Sequence, residues 1–249
     1  MTKTLSRRFV LQSLVAGVAA AGHTLSFSSA SRSMPVSKAE GAFIIHNDLP
    51  WALETRRSQF GFGPITSASQ LFVRNNLPAP PAPLTDQGDD WSFDVVGCAR
   101  EGSLTLAELK RMKSRTVATV LQCSGNGRDF FPHDPSGSQW SVGAAGCVLW
   151  TGVSVADIFA QFGGVRSGLA YLTATGGEVL PEGIDKDAVV VERSVPIDKG
   201  LKDCLLVWEM NGAPLPVIHG GPVRLVVPGY FGVNNVKWVR QLAATAGES

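Results

Sequence analysis

Thr116-Val117-Ala118-Thr119-Val120-Leu121-Gln122-Cys123-Ser124-Gly125-Asn126-Gly127-Arg128 is the stretch on which the reading of this chain turns. A β-branched, apolar run feeds a loop with two glycines, the pattern of a strand that ends at a turn. A single thiol stands at the strand's edge, and an arginine follows five residues on. A thiolate is a soft donor for a transition metal, and a guanidinium beside it suits a planar, bidentate grip on an oxyanion. Taken alone, such a cysteine is a small buried hydrophobe before a turn; the flanking chain decides between the two.

Upstream, Gln70 to Pro78 reads as a strand leaving through a polar turn, and the proline-rich run Pro78 to Pro83 as irregular surface chain. Trp91-Ser92-Phe93-Asp94-Val95-Val96 alternates as a half-buried strand does. Thr105-Leu106-Ala107-Glu108 is a capping box that opens a helix over Leu106 to Met112. Downstream come Gly143 to Trp150 as loop or strand, and a helix near Val155 to Phe162 stopped by Gly163-Gly164. Further strands fall at Leu169 to Thr175, Ala188 to Val191, Cys204 to Trp208 and Val223 to Val227, with an Asn-Gly turn at Asn211-Gly212. Strands with a few short helices that do not alternate strictly define an α+β fold of mixed sheets.

The first thirty residues read as an address. Ser6-Arg7-Arg8-Phe9-Val10-Leu11-Gln12 sets paired arginines before the weakly apolar Leu14 to Ala21, and Ser28-Ser29-Ala30 offers a small-residue cleavage site. This resembles a twin-arginine export signal, an ordinary secretory leader being the alternative. The apolar stretch is too short for a stable membrane span. The expected layout is therefore signal over 1–30, flexible segment over 31–50 and one domain over 51–249, in the periplasm with no stable membrane span after cleavage.

A formal net charge of +1 and no basic stripe beyond the leader argue against nucleic acid as a partner. The 27 glycines and 15 prolines favour strands and loops over a helical bundle. Cys98, Cys123, Cys147 and Cys204 form no CxxC or CxxCH motif, so zinc-finger and c-type haem signatures are missing. A disulfide between two of Cys98, Cys147 and Cys204 stays open.

Seven segments occur in one order: Phe72-Val73-Arg74-Asn75-Asn76-Leu77-Pro78, the Cys123 loop, Gln139-Trp140, Trp150 to Val153, Glu209 to Pro216, His219-Gly220-Gly221-Pro222-Val223-Arg224, and Asn234-Asn235-Val236-Lys237-Trp238. Together they resemble the molybdenum-cofactor domain of the sulfite oxidase family, from about Trp51 to Leu242. The resemblance implies a molybdopterin-binding fold in which Cys123 ligates molybdenum. It implies that Arg74 and Arg128 face a small anionic substrate such as sulfite and that Trp140 lines its pocket, although an aromatic there also reads as plain core. It further implies that His219, Arg224, Asn235, Val236 and Lys237 grip the pterin and its phosphate, with Asn75 and Asn76 touching the cofactor. His46 and His133 carry no motif and read as surface or structural.

The chain departs from the family in three places. Asn76 stands where the loop usually has histidine, and Gly127 precedes Arg128 where a second arginine is usual. The active-site tyrosine of sulfite-oxidising relatives and their C-terminal dimerisation domain lie outside these 249 residues. Three functions are weighed: a periplasmic sulfite dehydrogenase passing electrons to an external c-type cytochrome, an S-oxide or N-oxide reductase, and a cofactor-binding chain without turnover.

Overall fold

The computed structural model describes residues 35, 38, 39, 41–61, 63–133, 135–180, 182 and 192–249. In chain order the first strands are β1 (Phe43–Asp48), β2 (Trp51–Thr55), β3 (Val73–Arg74), β4 (Ser92–Val96), β5 (Gly102–Thr105), β6 (Arg115–Gln122) and β7 (Ala145–Ser154). They are followed by β8 (Tyr171–Gly176), β9 (Glu192–Pro196), β10 (Leu205–Met210), β11 (Ala213–Pro214), β12 (Arg224–Val226) and β13 (Val239–Thr245). Among the described residues four short helices interrupt them: α1 (Ala82–Thr85), α2 (Leu106–Arg111), α3 (Val155–Gln161) and α4 (Ile197–Asp203). The strands form three sheets, ordered β1-β2-β3, β11-β10-β7-β6 with β12 also on β10, and β5-β4-β13-β8-β9. The α+β expectation holds, with one parallel pair, β4 beside β13, in the third sheet.

Local chemistry explains where several elements begin. The Thr105 hydroxyl accepts from the Glu108 amide while the Glu108 carboxylate accepts from the Thr105 amide, so both orphan donors at the start of α2 are satisfied. At the start of α3 the Ser154 hydroxyl accepts from the Asp157 amide, a single cap without the reciprocal bond. Asn211 and Gly212 both take positive φ, 56° and 76°, and close the β10–β11 hairpin as the Asn-Gly signal requires. β10 is apolar and buried along nearly its whole length because β7, β11 and β12 all pair with it.

The structure corrects three expectations and answers one open question. The stretch 31–50 is not a loose lead-in: β1 lies within it, pairs with β2, and buries Phe43 against Leu53 and Val73. The strand expected over 70–78 shrinks to Val73 and Arg74, because it pairs only with Ala52 and Leu53 before its chain turns into the site. The proline-rich run is not wholly irregular: Pro81 caps α1, whose first turn accepts Pro83 because that amide would be unpaired anyway. Cys98, Cys123, Cys147 and Cys204 are all free thiols, Cys98 and Cys204 buried in the largest core cluster. The strand expected at Ala188 to Val191 and the leader lie outside the described residues, as do parts of 31–50.

The largest core fills beneath the third sheet and joins Trp91, Phe93, Ile158, Phe159, Leu172 and Trp238. A second cluster, with Leu71, Phe72, Trp140, Trp150 and Met210, lies against the second sheet and forms one wall of the site. No helix among the described residues is long and apolar enough to cross a membrane.

Candidate functional site

β6 ends at Gln122, and the chain turns at once. The Cys123 amide donates to the Ala144 carbonyl (2.9 Å), the Asn126 amide to the Cys123 carbonyl (3.0 Å), and the Ala144 amide to the Asn126 side chain (2.9 Å). These bonds fix the loop and leave the half-buried Cys123 thiol at the cavity wall, with the Gly125 N–H 3.4 Å from its sulfur. Arg128 is threaded between two glycines. A Cβ at Gly125 would lie 2.9 Å from Nη2 of Arg128 and 3.0 Å from Cδ1 of Trp140, and one at Gly137 2.5 Å from Nη1. The guanidinium also donates to the Ser138 carbonyl at 3.0 Å. The two glycines thus let the arginine and the indole pack directly on backbone.

Arg74 comes from β3 and donates to the Asn75 carbonyl. Burial holds its guanidinium below the usual arginine range, Cys123 pulls it back up, and Arg128 pushes it down again. Both arginines, Cys123, Asn75, Asn76, Trp140, His219, Arg224, Asn235, Val236 and Lys237 line a single cavity. All the residues expected at the site are therefore brought together. Their availability differs. Trp140 is both wall and core, 1 % exposed. The Asn235 side chain is spent on the fold, accepting from Val227 N and donating to Phe231 O, and the Val236 carbonyl accepts from Leu225 N.

The far half of the cavity is a crowd of buried cations. Lys237 donates to the Ile218 carbonyl (2.7 Å) and to the Asn75 side chain, while Arg224 donates to the His219 carbonyl (2.7 Å). Burial pushes Arg224 down to about 9 and Lys237 well below its usual range, with Arg224 adding to the Lys237 shift. His219 lies well below the ordinary histidine value because it is buried and then because Lys38, Lys237 and Arg224 surround it. Trp238, next to Lys237, sits at φ 49°, which is rare for a bulky residue and holds the lysine at the turn into β13.

Sequence reasoning missed four contributors. Lys38, 7 % exposed, reaches His219 from the segment expected to be flexible, and burial pushes it down to about 7. Glu178 is the one acid among the cavity's lining residues; burial pushes it up to about 7. Glu54 and His46 form a bonded pair (2.7 Å) behind Trp140, whose ring centroid is 4.7 Å from that of His46. The buried Glu54 carboxylate also accepts from Ser141 N, Ser141 Oγ and Gly143 N, which anchors the loop carrying Trp140. None of these residues stands in a motif, so spacing gave no signal for them.

Two buried atoms in the cavity, Arg224 Nε and Glu178 Oε2, have no hydrogen-bond partner among the described residues. An orphan donor, an orphan acceptor and an excess of buried cations fit a ligand that is anionic at one end and offers N–H groups elsewhere. Among the described residues no cluster of three or more His, Cys, Asp and Glu could hold a metal ion, so a metal at Cys123 must bring most of its ligands with it. A dithiolene-bearing pterin phosphate meets each of these demands.

A family model described as "Oxidoreductase molybdopterin binding domain" matches residues 79–249. The chain is 34 % identical over 194 residues to the mitochondrial sulfite oxidase of Rattus norvegicus, covering 74 % of this chain and 34 % of that one. It is 30 % identical over 209 residues to the nitrate reductase [NADPH] of Neurospora crassa, covering 76 % of this chain and 21 % of that one. The chain thus spans about a third or less of these relatives. In fold it resembles the sulfane dehydrogenase SoxCD from Paracoccus pantotrophus, with a TM-score of 0.67, 23 % identity, and coverage of 92 % of this chain and 57 % of that chain. The chain belongs to the molybdopterin-binding oxidoreductase family of sulfite oxidase type. Its cofactor is the molybdenum cofactor.

Proposed function

We propose that this chain oxidises a small sulfur oxyanion, sulfite in the first instance, and passes the two electrons to an external c-type cytochrome. The observation that carries the reading is that two arginines, Arg74 and Arg128, line the same cavity as the Cys123 thiol. The molybdenum cofactor supplies the oxygen transfer from water and the two-electron chemistry that turns sulfite into sulfate. Cys123 provides the thiolate that ligates the metal and tunes it. Arg74 and Arg128 hold the dianion, and their charges act strongly because the pocket is partly dry. Trp140 walls the substrate side, while His219, Arg224 and Lys237 hold the pterin phosphate and Glu178 accepts from pterin N–H groups. We further propose export by the twin-arginine route to the periplasm, on the strength of Ser6-Arg7-Arg8-Phe9-Val10-Leu11.

The test uses protein made in a host that synthesises the molybdenum cofactor. Sulfite added to the oxidised protein together with a one-electron acceptor such as ferricytochrome c is expected to raise a molybdenum electron paramagnetic resonance signal, since sulfite gives up two electrons and the signal requires removal of one. Arg74→Met is expected to lose turnover by at least about a hundredfold, the scale of one lost electrostatic donor, with molybdenum content unchanged. Wild-type turnover in that variant would show that the anion does not bind between the two arginines.

A further inference from the structure

Lys38 does not line the cavity but reaches His219, which does, and its hydrogen-bond partners are all acceptors. Its ammonium nitrogen lies 2.6 Å from the Ala68 carbonyl, 2.7 Å from the Leu71 carbonyl and 2.6 Å from Nε2 of His219. An ammonium group has three protons and no lone pair, and these three partners match its three donors. The two carbonyl contacts are as short as charge-assisted bonds are. Nε2 of His219 is also 3.4 Å from the Ala68 carbonyl, a separation too long to compete with the contact to Lys38. Nδ1 makes no hydrogen bond among the described residues, and His219 lines the cavity.

We propose that Lys38 fixes the tautomer of His219: by donating to Nε2 it leaves the ring proton on Nδ1, where it serves as a neutral donor into the cofactor cavity. Lys38 is thus a positioning residue, acting on the cofactor through His219, and it ties the segment before β1 to the pterin end of the site. The assignment of that end to the pterin, and with it the dianion that keeps Lys38 protonated, rests on the function proposed above. The groups facing Lys38 and His219 explain why the arrangement waits for an anion. Burial first, and then the charges of Lys38, Lys237 and Arg224, disfavour a protonated imidazolium there. Burial alone also weakens the hold of Lys38 on its proton, and a dianion in the cavity restores it. Two cations and one neutral donor then face the ligand with their hydrogens correctly aimed.

The experiment is a long-range proton–nitrogen correlation spectrum of the cofactor-loaded full chain with nitrogen-15 histidine. The His219 signals are assigned by their loss in His219→Gln. The expected pattern is an unprotonated, pyridine-like Nε2 and a protonated Nδ1. A wild-type spectrum with the proton on Nε2 overturns the proposal, and this arm needs no variant at Lys38 to fold. In Lys38→Met, Nε2 loses its donor and the ring is expected to turn to the Nε2–H form, with the Ala68 carbonyl as acceptor; a folded variant that keeps the wild-type tautomer also overturns the proposal. Pterin and molybdenum content after dialysis is read on the same samples, with retention in Lys38→Met expected to fall about tenfold, the scale of one weakened neutral hydrogen bond. A switched tautomer with unchanged retention upholds the role of Lys38 and removes His219 from the cofactor site, so failure of the functional reading is told apart from failure of this one.

Discussion

Glu54 tests whether the wall behind the substrate pocket is held as described. It is a carboxylate from β2, 1 % exposed, that receives Ser141 N at 3.1 Å, Gly143 N at 2.9 Å, the Ser141 hydroxyl, and Nε2 of His46 at 2.7 Å. Burial raises its proton affinity, and the four donors more than offset that, so its net shift is downward and it is ionised at neutral pH. Glu54→Ala leaves two backbone amides without a buried acceptor, and each such loss costs about 1–3 kcal/mol, more where the acceptor is charged. With the packing lost as well, about 3–5 kcal/mol of destabilisation is expected. Glu54→Gln keeps an oxygen for Gly143 N and the Ser141 hydroxyl. Its amide nitrogen then faces His46, which can accept by changing tautomer, and the second contact from Ser141 N is lost. About 1.5–3 kcal/mol follows, the value of a charged hydrogen bond. Urea unfolding at pH 7 with an unchanged m-value reads both numbers. If Glu54→Ala cost less than about 1 kcal/mol on that scale, the carboxylate would not be what anchors the Trp140 loop.

Two further outcomes follow from the buried cations and the sheet packing. Lys38 has a folded-state pKa of about 7 against 10.5 in an unfolded chain, so between those values the unfolded chain holds a proton that the cofactor-free fold does not. Its contribution to stability therefore rises with pH through that window, by about 5 kcal/mol in all, and is lowest below pH 7. Urea melts of cofactor-free wild type minus those of Lys38→Met should show this rise, and parallel curves from pH 7 to 10 would refute it. Gly152 on β7 is close to the backbone of β10: a Cβ there would lie 2.0 Å from the Leu206 carbonyl oxygen. Gly152→Ala is expected to destabilise by about 3 kcal/mol or more, since backbone cannot yield as a side chain can, and a melting temperature within a degree or two of wild type would contradict the register of those strands.

What the sequence determined by itself is local. The Thr105–Glu108 capping box, the Asn-Gly turn, the helix stops and the strand into Cys123 each depend on residues within a few positions of one another, and each stands where expected. The Arg74, Cys123, Arg128, His219, Arg224 and Lys237 motifs were also legible, because their order along the chain carries information even though their spacing is wide. Folding supplied the rest. Lys38 and His219 are 181 residues apart, and Glu54 reaches Ser141 across 87. Nothing in the spelling of either segment announces such a contact, since a buried lysine or glutamate looks like a solvated one until its partners are known. β1 was hidden for a similar reason: Phe43 and its neighbours alternate weakly, and only pairing with β2 makes them a strand. Sequence thus selected the residue types that the chemistry needs. Tertiary structure decided which of them are desolvated together, and it is desolvation that gathers a scatter of lysines, arginines and one histidine into the buried basic end of one cavity.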